Sequence, residues 1–192
     1  MAPLAAVRSG HVAFIVAGAS YGGPVFEQDL FRVGNSVKTS GLSEQDQAKA
    51  MEFYRRFIEV ARSGQGIDTL LASGDSVRGE AWYQWLGIPP RDNWLWSFYP
   101  PIGNYDPLPT WRGVSVPTLL LYGQNDQLVP VDLSLRRIGQ ALEQGGNTQW
   151  AAFILPRAAH NFTISPAPDE PFEWRRVAPG LVDVLLGWVR AR

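Results

Sequence analysis

Two side chains in this sequence have the types and the setting for proton-transfer chemistry, Asp126 and, further along, His160. Asp126 stands four residues beyond Tyr122, which closes an apolar run within VPTLLLYGQNDQLVP. His160 stands five residues beyond Leu155, in the second apolar run WAAFILP. Each therefore falls in the loop after a buried strand. In an open parallel sheet such loops converge over one crevice at the carboxyl edge, so both side chains would be delivered to the same place. A carboxylate held against one imidazole nitrogen fixes the tautomer. It also stabilises the imidazolium formed when the other nitrogen takes a proton from a nucleophile. Taken singly, Asp126 reads as a turn residue that caps the next helix, and His160 as a satisfied loop histidine. In this order and context the pair reads as the acid and the base of a Ser…Asp…His chain order.

The elements that must position them alternate. Residues 2–8 read as the end of a helix. HVAFIVAG, residues 11–18, is apolar on both faces, which suits a strand buried in a parallel sheet. Residues 43–62 form a helix whose Ser43 and Asp46 have capping-box spacing. Its Ala50, Tyr54, Phe57 and Ala61 recur on one face, and Gly64 ends it. Residues 76–86 are a shorter helix candidate. Residues 87–110, rich in proline and aromatics, read as irregular. Regularity resumes with a strand at 116–122, a helix at 131–143, a strand at 149–155 and an amphipathic helix at 181–189. The expected fold class is α/β, with a parallel sheet. The long helical, aromatic-rich segment 24–110 is inserted between the first and second strands as a cap, and 111–192 carries the acid and the histidine.

PTLLLYGQNDQLVP followed by FILPRAAHNF resembles the last two strands of an α/β-hydrolase. APLAAVRSGHVAFIVAGAS resembles the helix after the nucleophile and the strand that follows it. YDPLPTWRGVSVPTLLLYG resembles the return from a cap into the sheet. Within the superfamily the flavour is that of the bacterial prolyl-oligopeptidase and acyl-peptide-hydrolase branch. The resemblance implies that residues 1–192 are a single, incomplete α/β-hydrolase domain holding about the last three strands. It implies a serine hydrolase of esters, amides or short peptides, with Asp126 the triad acid and His160 the triad base. It implies no metal and no organic cofactor.

The nucleophile is where the sequence departs from that family. One G-x-S-x-G occurs, in GASYGG, which makes Ser20 a candidate. A nucleophile turn, however, is followed by a helix and then another central strand before the acid, and no further buried strand is legible between Pro24 and Gly113. Residues 11–18 are better assigned as the strand after the nucleophile helix, with Ser20 an ordinary polar residue of a Gly-rich loop. On this reading the elbow, the oxyanion-hole loop and the serine lie upstream of Met1, and the first strand leaves an apolar edge that invites self-association. Two alternatives stay open: a self-contained hydrolase that uses Ser20, and a hydrolase-like protein that binds without catalysis.

Trp82, Trp85, Trp94 and Trp96 crowd one short stretch and are candidates for the wall of a substrate pocket. As large apolar side chains they would equally serve to pack the cap. Glu27, Asp29, Glu44 and Asp75 show no pairing pattern that suggests glycosidase or metal chemistry. A formal charge of −1 gives no electrostatic case for nucleic acid or an acidic membrane surface. Cysteine is absent, and the two histidines are too few for a His-dominated metal site. No apolar run approaches the roughly 20 residues of a membrane span, and residues 1–6 lack the regions of a signal peptide. Compartment is left open, with cytoplasm the default.

Overall fold

The computed structural model describes residues 2–167 and 174–192. Along the chain come α1 (Ala2–Arg8), β1 (Ile15–Gly18), α2 (Val25–Lys38), α3 (Glu44–Ser63), α4 (Ile67–Ser76), a 3-10 turn (Tyr83–Trp85), α5 (Leu95–Gly103), α6 (Leu108–Arg112), β2 (Thr118–Gly123), α7 (Val131–Gln144), β3 (Trp150–Leu155), β4 (Thr163–Ile164), β5 (Arg176–Val177) and α8 (Leu181–Arg190). They divide into two compact units, one of Met1–Gly23 with Pro107–Arg192, the other of Pro24–Asp106.

The first unit is α/β. Its three strands are parallel in the order β1-β2-β3. Ile15 pairs with Thr118, and Thr118 with Trp150. β2 is central and every residue of it is buried, which explains its unbroken apolar run. Alternate residues serve opposite faces. Leu120 and Tyr122 pack with Ile15, Trp111, Ile138 and Leu142, under α6 and α7. Leu119 and Leu121 pack with Trp188, Val184 and Leu185 of α8. Buried Asn147 ties the approaches to β2 and β3 together. Its amide donates to the Val114 and Val116 carbonyls at 3.0 and 2.9 Å, and its oxygen accepts from Gln149 N at 2.9 Å. Such satisfaction is what allows a polar side chain into a core. β4 and β5 form a small antiparallel pair with no signal in the sequence pattern.

The second unit is built from α2 to α5. Its core joins Phe26, Val33, Phe53, Tyr54, Phe57, Leu70 and Trp96. α3 follows its sequence signals closely. The Ser43 hydroxyl accepts from Asp46 N at 3.1 Å, and Gly64 takes the left-handed conformation at φ 68° that ends the helix. Three segments differ from expectation. The helix looked for at 76–86 is displaced: α4 ends at Ser76, leaving only the 3-10 turn beyond. Gly74 is the reason for the packing there, since a Cβ on it would collide with the Tyr83 hydroxyl. α2, unassigned in the sequence, buries Phe26, Val33 and Val37 on one face. α5 forms within the stretch read as irregular, in spite of Pro100 and Pro101. Those prolines remove two backbone donors. Aromatic packing of Trp96 and Tyr99 against Phe57, at 5.7 Å each, holds the turn in place instead.

Candidate active site

The acid is fixed by its own turn. β2 ends at Gly123, and Asp126 N donates back to the Gly123 carbonyl at 3.2 Å. Asp126 Oδ1 then accepts from Leu128 N at 2.8 Å and Val129 N at 2.9 Å. This side-chain-to-backbone turn is the reason for N-D-Q-L-V at the strand end, and it leads through Pro130 into α7. With Oδ1 doubly engaged, the second oxygen has one orientation. It lies 2.9 Å from His160 Nδ1. The Asp126 side chain has no exposure, whereas that of His160 is 39% exposed. The carboxylate's buried charge is thus met by two backbone N–H groups and one imidazole N–H. That contact holds the proton on Nδ1 and leaves Nε2 as the basic nitrogen. Among the described residues Nε2 has no hydrogen-bond partner.

The histidine loop is clamped to the acid loop. Gln124 N donates to the Leu155 carbonyl at 3.0 Å, and Asn125 N to the Ala158 carbonyl at 2.8 Å. Arg157 N donates to Gln124 Oε1 at 2.9 Å. Arg157 and Phe162 both adopt positive φ, 60° and 59°, so the loop turns sharply on either side of His160. Ala159 N closes it onto the Thr163 carbonyl at 2.8 Å. Gly123 permits the approach: a Cβ there would overlap the carbonyl oxygens of Ala158 and Ala159. Gln124 and Asn125 were not singled out in the sequence. Their signal was the glycine that stops the apolar run three residues before the acid.

Ser20 sits in the loop after β1, which the Tyr122 hydroxyl anchors by donating to the Ser20 carbonyl at 2.9 Å. Burial, and then the charge of Asp126, raises the pKa of Tyr122, so the phenol remains a donor. Among the described residues no hydrogen bond joins the Ser20 hydroxyl to His160. A nucleophile elbow sets its serine on a strained strand-to-helix turn. Here the strained residue is Ala19, at φ 46°, and Ser20 is not among the residues with positive φ. The next helix begins only at Val25.

The four tryptophans lie in the helical unit and occupy different environments there. Trp82 and Trp96 are buried in its core, 4% and 6% exposed. The Trp96 indole donates to the Pro90 carbonyl at 2.9 Å, whereas among the described residues the buried Trp82 indole N–H has no partner. Trp94 is 66% exposed against Phe98. Trp85, half-exposed, lines a cavity of about 440 Å³ within this unit. Asp29, which showed no glycosidase or metal-site pairing pattern in the sequence, pairs there with Arg32 and Tyr54. Among the described residues no group of three His, Cys, Asp or Glu side chains is placed to hold a metal ion. No described helix is long and apolar enough to cross a membrane.

No protein-family model matches the chain, and no curated protein matches it in sequence. Among solved structures, the chain is similar to a Mycobacterium tuberculosis H37Rv protein, BpoC, whose assignment as a non-heme bromoperoxidase is itself provisional. The two are 18% identical, with a TM-score of 0.40 over 83% of this chain. The match spans 55% of that protein, so this chain covers little more than half its length.

Proposed function

We propose that this chain carries the acid and the base of a serine hydrolase of the α/β-hydrolase type, acting on ester, amide or short-peptide bonds. The observation that carries the reading is the Asp126 Oδ2–His160 Nδ1 contact of 2.9 Å, made between loops that leave the carboxyl ends of two adjacent parallel strands. In the reaction His160 Nε2 takes the proton of a serine hydroxyl as that oxygen attacks the carbonyl carbon. It then gives the proton to the leaving alcohol or amine, and the cycle repeats with water. Asp126 keeps the imidazole in the required tautomer and balances its transient charge. The prolyl-oligopeptidase and acyl-peptide-hydrolase branch is the subfamily we favour, on the sequence PTLLLYGQNDQLVP alone.

The serine is assigned to polypeptide preceding residue 1 rather than to Ser20. Two features support this: Ser20 lacks the conformation of an elbow, and β1 pairs directly with the acid-bearing strand β2. In the family pattern a further strand separates the nucleophile's strand from the acid's. The test is hydrolysis of p-nitrophenyl esters by the product of the complete reading frame that contains this chain. His160→Ala is expected to lower kcat by at least about 10³-fold, and Ser20→Ala to leave it unchanged. Turnover that survives His160→Ala, or dies with Ser20→Ala, overturns the assignment.

A further inference from the structure

The cavity of about 440 Å³ inside the helical unit is the right size for a small organic ligand. It is formed by residues of Pro24–Asp106 alone. Its lining includes the rings of Phe26 and Phe57, which both pack on that of Tyr99 with centroids 5.6 and 5.7 Å away. Val25 and Trp85, 38% and 41% exposed, also line it and leave it accessible to solvent. Such walls suit a flat apolar body.

Its polar groups are not balanced between donors and acceptors. Among the described residues Asp29 is the only carboxylate lining it, and each of its oxygens already accepts a hydrogen bond. Oδ1 accepts from Arg32 Nε at 2.7 Å, and Oδ2 accepts from the Tyr54 hydroxyl. Burial, followed by the charge of Asp29, raises the pKa of Tyr54, so this phenol stays protonated and keeps donating. Arg32 has five N–H donors. Asp29 and the adjacent Tyr54 hydroxyl engage only part of this set, on a side chain that lines the cavity and is 40% exposed. Gln28 and Tyr99 line the same space, and neither side chain has a hydrogen-bond partner among the described residues. The free capacity is therefore rich in donors, with a guanidinium anchored on the wall by Asp29. An arginine held by one edge presents a planar fork matched to a carboxylate. An ammonium group would meet, among the described residues, only the Asp29 carboxylate, whose charge Arg32 already balances.

We propose that this cavity is a binding site for a small arylalkyl carboxylate, with the acid group on Arg32 and the ring against Phe26, Phe57 and Tyr99. This inference does not depend on the Asp126–His160 reading, and its test measures binding, not turnover.

The probe is 3-phenylpropionate, titrated into the full chain by calorimetry beside two ligands of the same size, 3-phenyl-1-propanol and 3-phenylpropylamine. The acid is expected to bind saturably, at least about tenfold tighter than the alcohol, with no measurable binding of the amine. Arg32→Gln should weaken the acid by about tenfold or more while leaving the alcohol unchanged. Gln28→Glu, on a half-exposed helical position, places a like charge on the wall and should weaken the acid similarly without disturbing the fold. It decides the matter if Arg32→Gln fails to fold by circular dichroism. Absence of acid binding, equal binding of acid and alcohol, or unchanged acid affinity in Gln28→Glu overturns the proposal.

Discussion

Replacing Asp126 by Asn should move a proton from one side of His160 to the other. The Asn side chain has one acceptor and one NH₂ where Asp has two acceptors. Suppose its oxygen takes the place of Oδ1. The bonds from Leu128 N and Val129 N, at 2.8 and 2.9 Å, then survive, and the NH₂ faces His160 Nδ1. In the flipped orientation the NH₂ would confront those two backbone donors, costing about 1–3 kcal/mol for each one left unsatisfied, or roughly 2–6 kcal/mol in all. The first orientation wins. Its NH₂ can only donate to Nδ1, so the imidazole must carry its proton on Nε2, the nitrogen that the proposed reaction needs as a base. Stability should fall by only about 1 kcal/mol, the value of an ordinary hydrogen bond. Asp126→Ala, which strands both backbone donors, should cost about 2–6 kcal/mol in urea unfolding. The tautomer is read by long-range ¹H–¹⁵N correlation at a pH well above the ordinary imidazole range. With only two histidines in the chain, His11→Gln assigns the spectrum. We expect Nδ1–H in the parent and Nε2–H in Asp126→Asn. An Nε2–H tautomer in the parent, or no change in the variant, would refute the reasoning.

Other outcomes follow from single contacts. Gly123→Ala puts a Cβ onto the Ala158 and Ala159 carbonyls and should cost about 3 kcal/mol or more in urea unfolding; a loss under about 1 kcal/mol would mean the loops are not clamped there. Tyr54 and Tyr122 both have raised pKa values, Tyr54 by burial and then the charge of Asp29, Tyr122 by burial and then the charge of Asp126. The unfolded chain releases these protons near pH 10 while the native state keeps them. Their contribution is therefore complete below about pH 10 and lost above it, by about 1.4 kcal/mol per pH unit for each tyrosine. Denaturant midpoints that stay flat from pH 9 to about 11 would contradict this. β1 is outermost in the sheet order of the described residues, with Phe14 and Val16 both 36% exposed, so the chain is expected to self-associate. Sedimentation velocity should show larger species as concentration rises; a monomer throughout would remove that expectation.

The legible parts of the sequence were those where local chemistry and tertiary packing agree. β2 could be read because burial on both faces demands an unbroken apolar run, and β3 because it carries the same kind of run even though Phe153 and Ile154 are exposed. α3 could be read because Ser43 and Gly64 cap it as they would in isolation. The acid and histidine were legible for a related reason: each stands a few residues beyond a strand, and the parallel register sets those strand ends side by side. What stayed hidden depends on distant partners. α5 contains two prolines and is held by rings from α3. The end of α4 depends on a close approach of Tyr83 to Gly74. Trp82 and Trp96 differ from Trp94 by burial alone, which no periodicity in that stretch encodes. Asp29 and Arg32 are an ordinary i,i+3 pair until Tyr54, from another helix, joins them.

The central claim is that Asp126 and His160 serve a serine other than Ser20. Labelling with a fluorophosphonate, followed by peptide mapping, tests it most directly. The account predicts no label on Ser20 in the 192-residue chain. In the product of the complete reading frame it predicts one label, on a serine preceding residue 1, that disappears with His160→Ala. A label on Ser20 that depends on His160 would contradict it.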